Sequence, residues 1–153
     1  MSLNVWAKAG WLKSHTPTKP QVAAIFSVVD RDLEDSKQSL SPDGRFNIAY
    51  NAALQLCSIV LLAEGWKPDR LNAHHRTISS LPVILGQERQ DDADYLDACR
   101  GKRNGLEYDA AGKVSATEAK ELREFAVELR ETVIVWLGEK HPKLSPWKKL
   151  SGA

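Results

Sequence analysis

Apolar residues recur at three- and four-residue steps along most of the chain, which is the spacing of one face of an α-helix. The clearest segment runs from Ser115 to about Gly138. Its apolar face comprises Leu122, Phe125, Ala126, Leu129, Val133, Trp136 and Leu137. Ser115 and Glu118 form an S-x-x-E capping box at its start, and Pro142 follows its end. The pattern predicts one amphipathic helix.

A second helix, predicted from about Arg45 to Glu64, is apolar on almost every side. A helix of this kind must lie at the centre of the fold. Its polar positions nevertheless form one stripe at steps of four, four and three residues: Asn47, Asn51, Gln55 and Ser58. Exposure to solvent is the favoured interpretation, and contact with a partner subunit or a buried hydrogen-bond network are the alternatives.

Three further helices are predicted. They span Pro20 to about Lys37, His74 to Leu85 with an interruption at Pro82, and Asp91 to at least Asn104. The Ser-Pro-Asp-Gly sequence at 41–44 is typical of a turn. Five helices with short connections and no alternating strand pattern predict an all-α, up-and-down bundle of four to five helices.

Composition excludes some classes of protein but does not indicate a function. The 153 residues include 21 Lys+Arg and 20 Asp+Glu, so the net charge of +1 excludes a globally basic nucleic-acid binder. A chain of this length forms a full core as one domain, 1–153. No signal-like segment opens it and no apolar run approaches the roughly 20 residues of a membrane span, so we expect a cytoplasmic protein without a membrane partner. Cys57 and Cys99 lack partner spacing and are expected as reduced thiols in or near the core.

Several clusters have ordinary structural explanations. The carboxylates Asp91, Asp92, Asp94 and Asp97 open a helix, where the macrodipole favours negative charge, and no metal site is expected. The adjacent His74 and His75 diverge by about 100° on a helix, so they cannot chelate one ion together, and a capping or interface role is favoured.

The terminal segments offer little chemistry. His15 and His141 are expected to be solvated. Trp6 and Trp11 are expected to pack on the edge of the bundle. The basic run from Lys140 to Lys149, with Trp147 inside it, is typical of a soluble tail, and nucleic-acid contact is the alternative.

Charge, amide and phenol groups concentrate between Arg100 and Asp109. A helix continuing through this segment would place Arg100, Arg103, Asn104, Glu107 and Tyr108 on one polar stripe, beside glycines at 101 and 105 that permit close approach of another backbone. Spacing alone favours the other interpretation, a solvated face with a weak Arg103–Glu107 pair and a helix that ends at Gly105.

Three stretches of the sequence together resemble a known protein family. They are the central helix from Arg45 through Trp66, the His74–Ile78 segment, and Tyr95–Arg100 running into Arg103-Asn104 and Tyr108-Asp109. With the closing helix, these stretches resemble the HEPN family over residues 20 to 138, in the branch that keeps Arg-Asn followed by a tyrosine. This all-α domain occurs beside minimal nucleotidyltransferases in prokaryotic toxin–antitoxin loci and in RNA-cleaving defence proteins.

The resemblance implies a homodimer that brings the R-x4-6-H motifs of both chains together in a cleft. Arg103 and Asn104 match its first positions, and Tyr108 stands where the family has histidine. Arg103, Asn104 and Tyr108 are therefore the candidate catalytic residues. Candidate binding residues are Arg100, Lys102 and Glu107. Tyrosine modification by a partner, seen in some relatives, needs a residue two beyond the histidine position, and Ala110 stands there.

Two functions follow from the resemblance. A phenol with a pKa near ~10 is ionised only about one part in a thousand at neutral pH, so Tyr108 is a poor general base. The favoured function is a module without catalysis that binds RNA, a nucleotide or a nucleotidyltransferase partner through the dimer cleft. The alternative is a weak, metal-independent endoribonuclease that uses Arg103, Asn104 and Tyr108. Neither function calls for a cofactor.

Overall fold

The computed structural model describes residues 2–38, 40–108 and 114–147. Its helices and strands, in chain order, are α1 (Leu3–Lys8), β1 (Leu12–Ser14), α2 (Lys19–Asp35), α3 (Pro42–Ala63), β2 (Trp66–Pro68), α4 (Ala73–Leu85), α5 (Gln90–Tyr108) and α6 (Ala116–Lys140). A 3₁₀ turn at Gln87–Arg89 connects α4 to α5. The all-α class is confirmed, and α2 to α6 are the five predicted helices.

A small antiparallel sheet was missing from the expected fold. Leu12 of β1 lies opposite Pro68 of β2, and Ser14 lies opposite Trp66. Strands of three residues are too short to show the alternation by which a strand is recognised. The absence of strands was therefore a wrong prediction, although the sheet only fastens the N-terminal segment to the end of α3.

The start of α3 and the course of α4 through Pro82 differ from prediction. Ser41 is the N-cap of α3, its Oγ accepting a hydrogen bond from the backbone N–H of Gly44 at 3.1 Å. Pro42 to Gly44 therefore form the first turn of the helix rather than a separate turn, because proline at the first helical position suits the fixed φ angle. Helix α4 ends at Leu85, as predicted, but it continues through the buried Pro82 without the expected interruption, and Gly86, with a φ of 120°, follows it.

Helix α3 forms the centre of the bundle. Its buried side chains include Tyr50, Leu56, Ile59 and Val60, and helices α2, α4, α5 and α6 pack around it. Length and composition alone would allow α3 to cross a membrane, but most of it is buried inside the protein. The absence of a polar face along most of α3 is thus explained by burial among helices.

The ends of α6 and the two tryptophans agree with prediction. Ser115 and Glu118 form the capping box, each side chain bonding the other's backbone N–H at 3.0 Å. Trp6 is buried in a small second cluster, and Trp11 lies edge-on to it with the rings 6.0 Å apart. Both thiols, Cys57 and Cys99, are free and buried.

Candidate functional site

Helix α5 runs without a break to Tyr108. The favoured interpretation from spacing, a helix that ends at Gly105, is therefore wrong. Glycine inside a helix costs about 1 kcal/mol relative to alanine, which is too little to end a helix on its own. Arg100 and Arg103 both lie inside this helix, on successive turns of one face.

Arg103 contacts the central helix. Its Nε donates a hydrogen bond to Asn47 Oδ1 at 2.8 Å, and its guanidinium lies 5.4 Å from the ring centroid of Tyr50. The polar stripe of α3 therefore has partners inside the protein. Asn47 is exposed, as the favoured interpretation required, whereas the partly buried Asn51 donates to Asp32 at 2.6 Å.

Tyr50 links the central helix to α4. Its ring is buried, and its hydroxyl lies 3.4 Å from Nδ1 of His74. Burial raises the pKa of Tyr50 to about 12, against the smaller lowering effects of Arg103 and Arg100. Tyr50 therefore keeps its proton at neutral pH and is a neutral hydrogen-bonding partner for the imidazole.

His75, the next residue of α4, contacts α5. Its Nδ1 lies 3.1 Å from Asp97 Oδ1, and the same oxygen accepts a hydrogen bond from Arg100 Nε at 2.8 Å. Burial opposes ionisation of Asp97, but hydrogen bonds from Arg100 and His75 outweigh it and lower the pKa of this carboxyl. An ionised carboxylate only accepts hydrogen bonds, so Nδ1 of His75 carries a proton and the lone pair of the neutral ring is on Nε2.

These contacts form one site, because His74 and His75 are adjacent on α4 and Arg100 and Arg103 lie one turn apart on α5. We refer to it as the three-helix site. It comprises Asn47 and Tyr50 of α3, His74 and His75 of α4, and Asp97, Arg100 and Arg103 of α5. Two imidazoles, two guanidiniums and one carboxylate are thereby brought together, a set suited to binding a phosphate and moving protons beside it.

The candidate residues from the sequence fall in different places. Arg100 and Arg103 belong to the three-helix site, and the partly exposed Asn104 follows on the same helix. Lys102 forms an ion pair with Glu118 of α6, on another side of α5. Glu107 and Tyr108 lie in the last turn of α5, but their side chains are outside the described part of the structure. Ala110 lies outside the described residues.

Sequence reasoning missed both histidines of the site. Their divergence excluded joint chelation of a metal, but it also directs each ring to a different partner, His74 to Tyr50 and His75 to Asp97. The partners lie 24 and 22 positions away along the chain. No spacing within α4 indicates those contacts, which depend on how α4 packs between α3 and α5.

Two other carboxylates at the start of α5 have structural partners. Within the described residues, no group of three or more His, Cys, Asp and Glu side chains could hold a metal ion. Asp92 pairs with Arg89, and Asp94 accepts a hydrogen bond from Gln90.

The terminal segments are bound more closely than expected. His15 was expected to be solvated, but it lies 3.2 Å from Gln21 Oε1. His141 Nε2 lies 2.6 Å from Glu64 Oε2, because the end of α6 reaches the end of α3. Trp147 packs edge-on against Phe26 rather than forming part of a solvated tail.

Comparison with known proteins gives no match to a family model, a curated protein or a solved structure. The chain is an all-α protein with one small sheet, and the functional argument depends on the chemistry of the three-helix site.

Proposed function

We propose that this protein is a HEPN-like module that binds RNA through the three-helix site, acting as a homodimer in which α5 lies near the twofold axis. The observation that supports RNA binding is the pair of guanidiniums, Arg100 and Arg103, on successive turns of α5 and beside two imidazoles. Guanidinium groups match phosphate oxygens in geometry and stay charged at all physiological pH values.

The positions of the two arginines are fixed before any ligand binds. Arg103 is held through Nε by Asn47, and Arg100 is held through Nε by Asp97. Side chains already ordered in this way lose less conformational entropy when they bind a phosphate. A minimal nucleotidyltransferase partner is the other occupant suggested by the family resemblance.

RNA binding is tested by fluorescence anisotropy with a 2′-O-methyl RNA, which cannot be cleaved through its ribose. We expect Arg103→Ala and Arg100→Ala each to weaken binding about tenfold or more, since each removes a charge-assisted phosphate contact. Arg89→Ala is the matched control, because it removes the same charge from the turn before α5, about 16 Å from Arg100 and about 21 Å from Arg103 at the rise of a helix. Equal losses in all three variants would show general electrostatic attraction and contradict a specific site.

A second function, metal-independent RNA cleavage, is favoured by one observation. Asp97 orients His75 so that Nε2 can accept a proton, and His74 supplies a second imidazole against Tyr50. Histidine suits proton transfer near neutrality. Tertiary structure thus brings imidazoles to a site whose sequence motif has Tyr108 in place of histidine.

In this reaction His75 removes the proton of a ribose 2′-hydroxyl, whose oxygen attacks the adjacent phosphorus. The bond from phosphorus to the 5′-oxygen breaks, and protonated His74 gives its proton to that oxygen. The products are a 2′,3′-cyclic phosphate and a 5′-hydroxyl. Arg103 would stabilise the additional negative charge of the phosphorane, and Asn104 would orient the scissile phosphate.

Cleavage is tested on RNA and on DNA of the same sequence, with chelator present. We expect the RNA to be cleaved to a 2′,3′-cyclic phosphate and the DNA to remain intact. We expect His75→Ala to lower the cleavage rate by about 10²- to 10⁴-fold. His15→Ala is the matched control, because His15 lies far from the three-helix site. Its backbone N–H donates to the carbonyl of Gly65, which follows the opposite end of α3 from Tyr50. Loss of cleavage in Tyr108→Phe but not in His75→Ala would assign proton transfer to Tyr108 and not to His75. RNA binding without any cleavage would contradict the nuclease function and support only the binding function.

A further inference from the structure

A second basic site lies where the C-terminal end of α2 meets the N-terminal ends of α3 and α6. It is an open cavity of about 420 Å³, into which four cationic side chains project from three helices. They are Lys37, Arg45, Lys120 and Arg123. Among the described residues, no carboxylate lines the cavity.

The cations of this cavity are incompletely neutralised by neighbouring groups. Lys37 and Lys120 form only long, exposed ion pairs, at 3.4 Å with Glu34 and 4.0 Å with Glu124. Pairs of this kind contribute little because solvent screens them. Arg123 donates through Nε to a backbone carbonyl, which carries no net charge to offset the guanidinium.

Arg45 shows the strongest sign of an unfilled site. Its Nε is buried and has no hydrogen-bond partner among the described residues. A buried donor without a partner costs about 1–3 kcal/mol, so such a group in a native protein calls for an explanation. Because Arg45 also lines the cavity, an anion there would offset the positive charge that this Nε leaves without an acceptor.

The first turn of α6 adds a further favourable field. Ala116 and Thr117 line the cavity, and they are the first residues of a helix of 25 residues. The N-terminus of a helix carries a partial positive charge and backbone N–H groups without helical acceptors. The capping box uses the N–H of Glu118, one position beyond the two lining residues.

We propose that this cavity binds a phosphate-bearing anion, specifically a diphosphate or triphosphate group. Four cations match the charge of such a group better than that of a single carboxylate. The lining residues that the structure describes include no aromatic side chain on which a base could stack, so recognition is through the phosphates. The cavity volume falls in the range of small-ligand sites.

This site is separate from the three-helix site. Arg45 and Asn47 both belong to the start of α3, but residues two positions apart on a helix lie on nearly opposite sides. The proposal therefore does not depend on RNA binding by Arg100 and Arg103.

Isothermal titration calorimetry with pyrophosphate, ADP and adenosine tests the proposal on the full chain. We expect pyrophosphate and ADP to bind with one-to-one stoichiometry and adenosine not to bind. Equal affinities for pyrophosphate and ADP would identify a site for any diphosphate, and tighter ADP binding would identify a nucleotide site. Binding of adenosine as tightly as ADP would overturn recognition through phosphate.

Variants locate the binding. Arg45→Gln and Arg123→Gln are each expected to weaken pyrophosphate binding at least tenfold, while Arg89→Gln changes it less than twofold. Circular dichroism checks that each variant is folded. Lys120→Gln changes an exposed side chain, so we expect it to fold normally and to show a smaller loss of pyrophosphate affinity. Unchanged binding in the Arg45→Gln/Arg123→Gln double variant, or no saturable binding to the wild type, would overturn the proposal.

Arg103→Ala distinguishes the two sites. We expect it to lose RNA binding and to keep pyrophosphate binding. Loss of pyrophosphate binding in this variant would mean that the anion occupies the three-helix site and would overturn the assignment to the α2–α3–α6 cavity. Failure of pyrophosphate to bind leaves the separate RNA measurement intact.

Discussion

Tyr50 is the residue at which the central helix meets the groups of the three-helix site. Its ring lies in the core, its hydroxyl contacts His74, and Arg103 lies over its face. The sequence marks Tyr50 only as one aromatic residue in an apolar helix. Its contact with Arg103 joins positions 53 residues apart, which local periodicity does not reveal.

Buried thiols and phenols make the stability sensitive to alkaline pH. Burial raises the pKa of Cys57 to about 12 and that of Cys99 to about 11, while a thiol in the unfolded chain titrates near ~8.5. The unfolded state therefore loses protons first as the pH rises. We expect the contribution of these thiols to the free energy of unfolding to be constant below about pH 8 and to fall between about pH 9 and pH 11.

Urea unfolding at a series of pH values measures this fall. Tyr50 adds to it above about pH 10, since burial raises its pKa as well. The Cys57→Ala/Cys99→Ala variant is the control and should show a shallower dependence between pH 9 and 10. An equally steep fall in that variant would show that the thiols are not responsible.

At the scale of the element, α6 is the segment that the sequence defines most completely. Its capping box, its apolar face and the proline beyond its end are all local features, and each depends on residues within a few positions of one another. Helix α5 shows the opposite case. Two glycines make its end ambiguous in the sequence, and only the folded structure extends it to Tyr108.

The capping box of α6 gives a prediction at this scale. Ser115→Ala removes the acceptor for the N–H of Glu118 and should lower the free energy of unfolding by about 1 kcal/mol. Urea denaturation measures the change. Ser27→Ala in α2 is the matched control, because its hydroxyl bonds only the carbonyl of Ala23 within the helix. We expect the control to change stability by less than about 0.5 kcal/mol.

At the scale of the whole molecule, the packing of α6 on α3 dominates the core. Leu122 of α6 is fully buried, whereas Val135 on the same helix is 59% exposed. Leu122→Ala should lower the free energy of unfolding by about 2–5 kcal/mol, since it removes buried methyl groups and leaves a cavity. Val135→Ala should cost less than about 0.5 kcal/mol. Similar losses in both would contradict the orientation of α6.

The proposed homodimer gives a second prediction for the whole molecule. Among the described residues, a Cβ atom added at Gly101 would meet no atom within 4 Å beyond its chain neighbours and the local helix backbone. Gly101→Leu is therefore expected to leave the folded protomer intact. If α5 lies against its partner, this substitution converts dimer to monomer in sedimentation velocity. A dimer unaffected by Gly101→Leu would place the interface elsewhere, and a wild-type monomer at all concentrations would contradict dimerisation.

Local information in the sequence determined the helical class, the five principal helices and the free, buried thiols, because helix periodicity, caps and apolar faces depend on neighbouring residues. It also indicated Arg103 as a candidate functional residue through the Arg-Asn element. The short sheet gave no local signal, since three residues show no period. The interruption of α4 expected at Pro82 does not occur, because burial of the surrounding helix outweighs one lost hydrogen bond.

Only the tertiary structure decided which side chains meet. His74 and His75 join Tyr50 and Asp97 because α4 packs between α3 and α5, and Lys102 pairs with Glu118 because α5 turns that face toward α6. The basic cavity likewise draws its cations from three helices. Contacts between distant positions depend on the packing of whole helices against α3, and no spacing along a single segment encodes them.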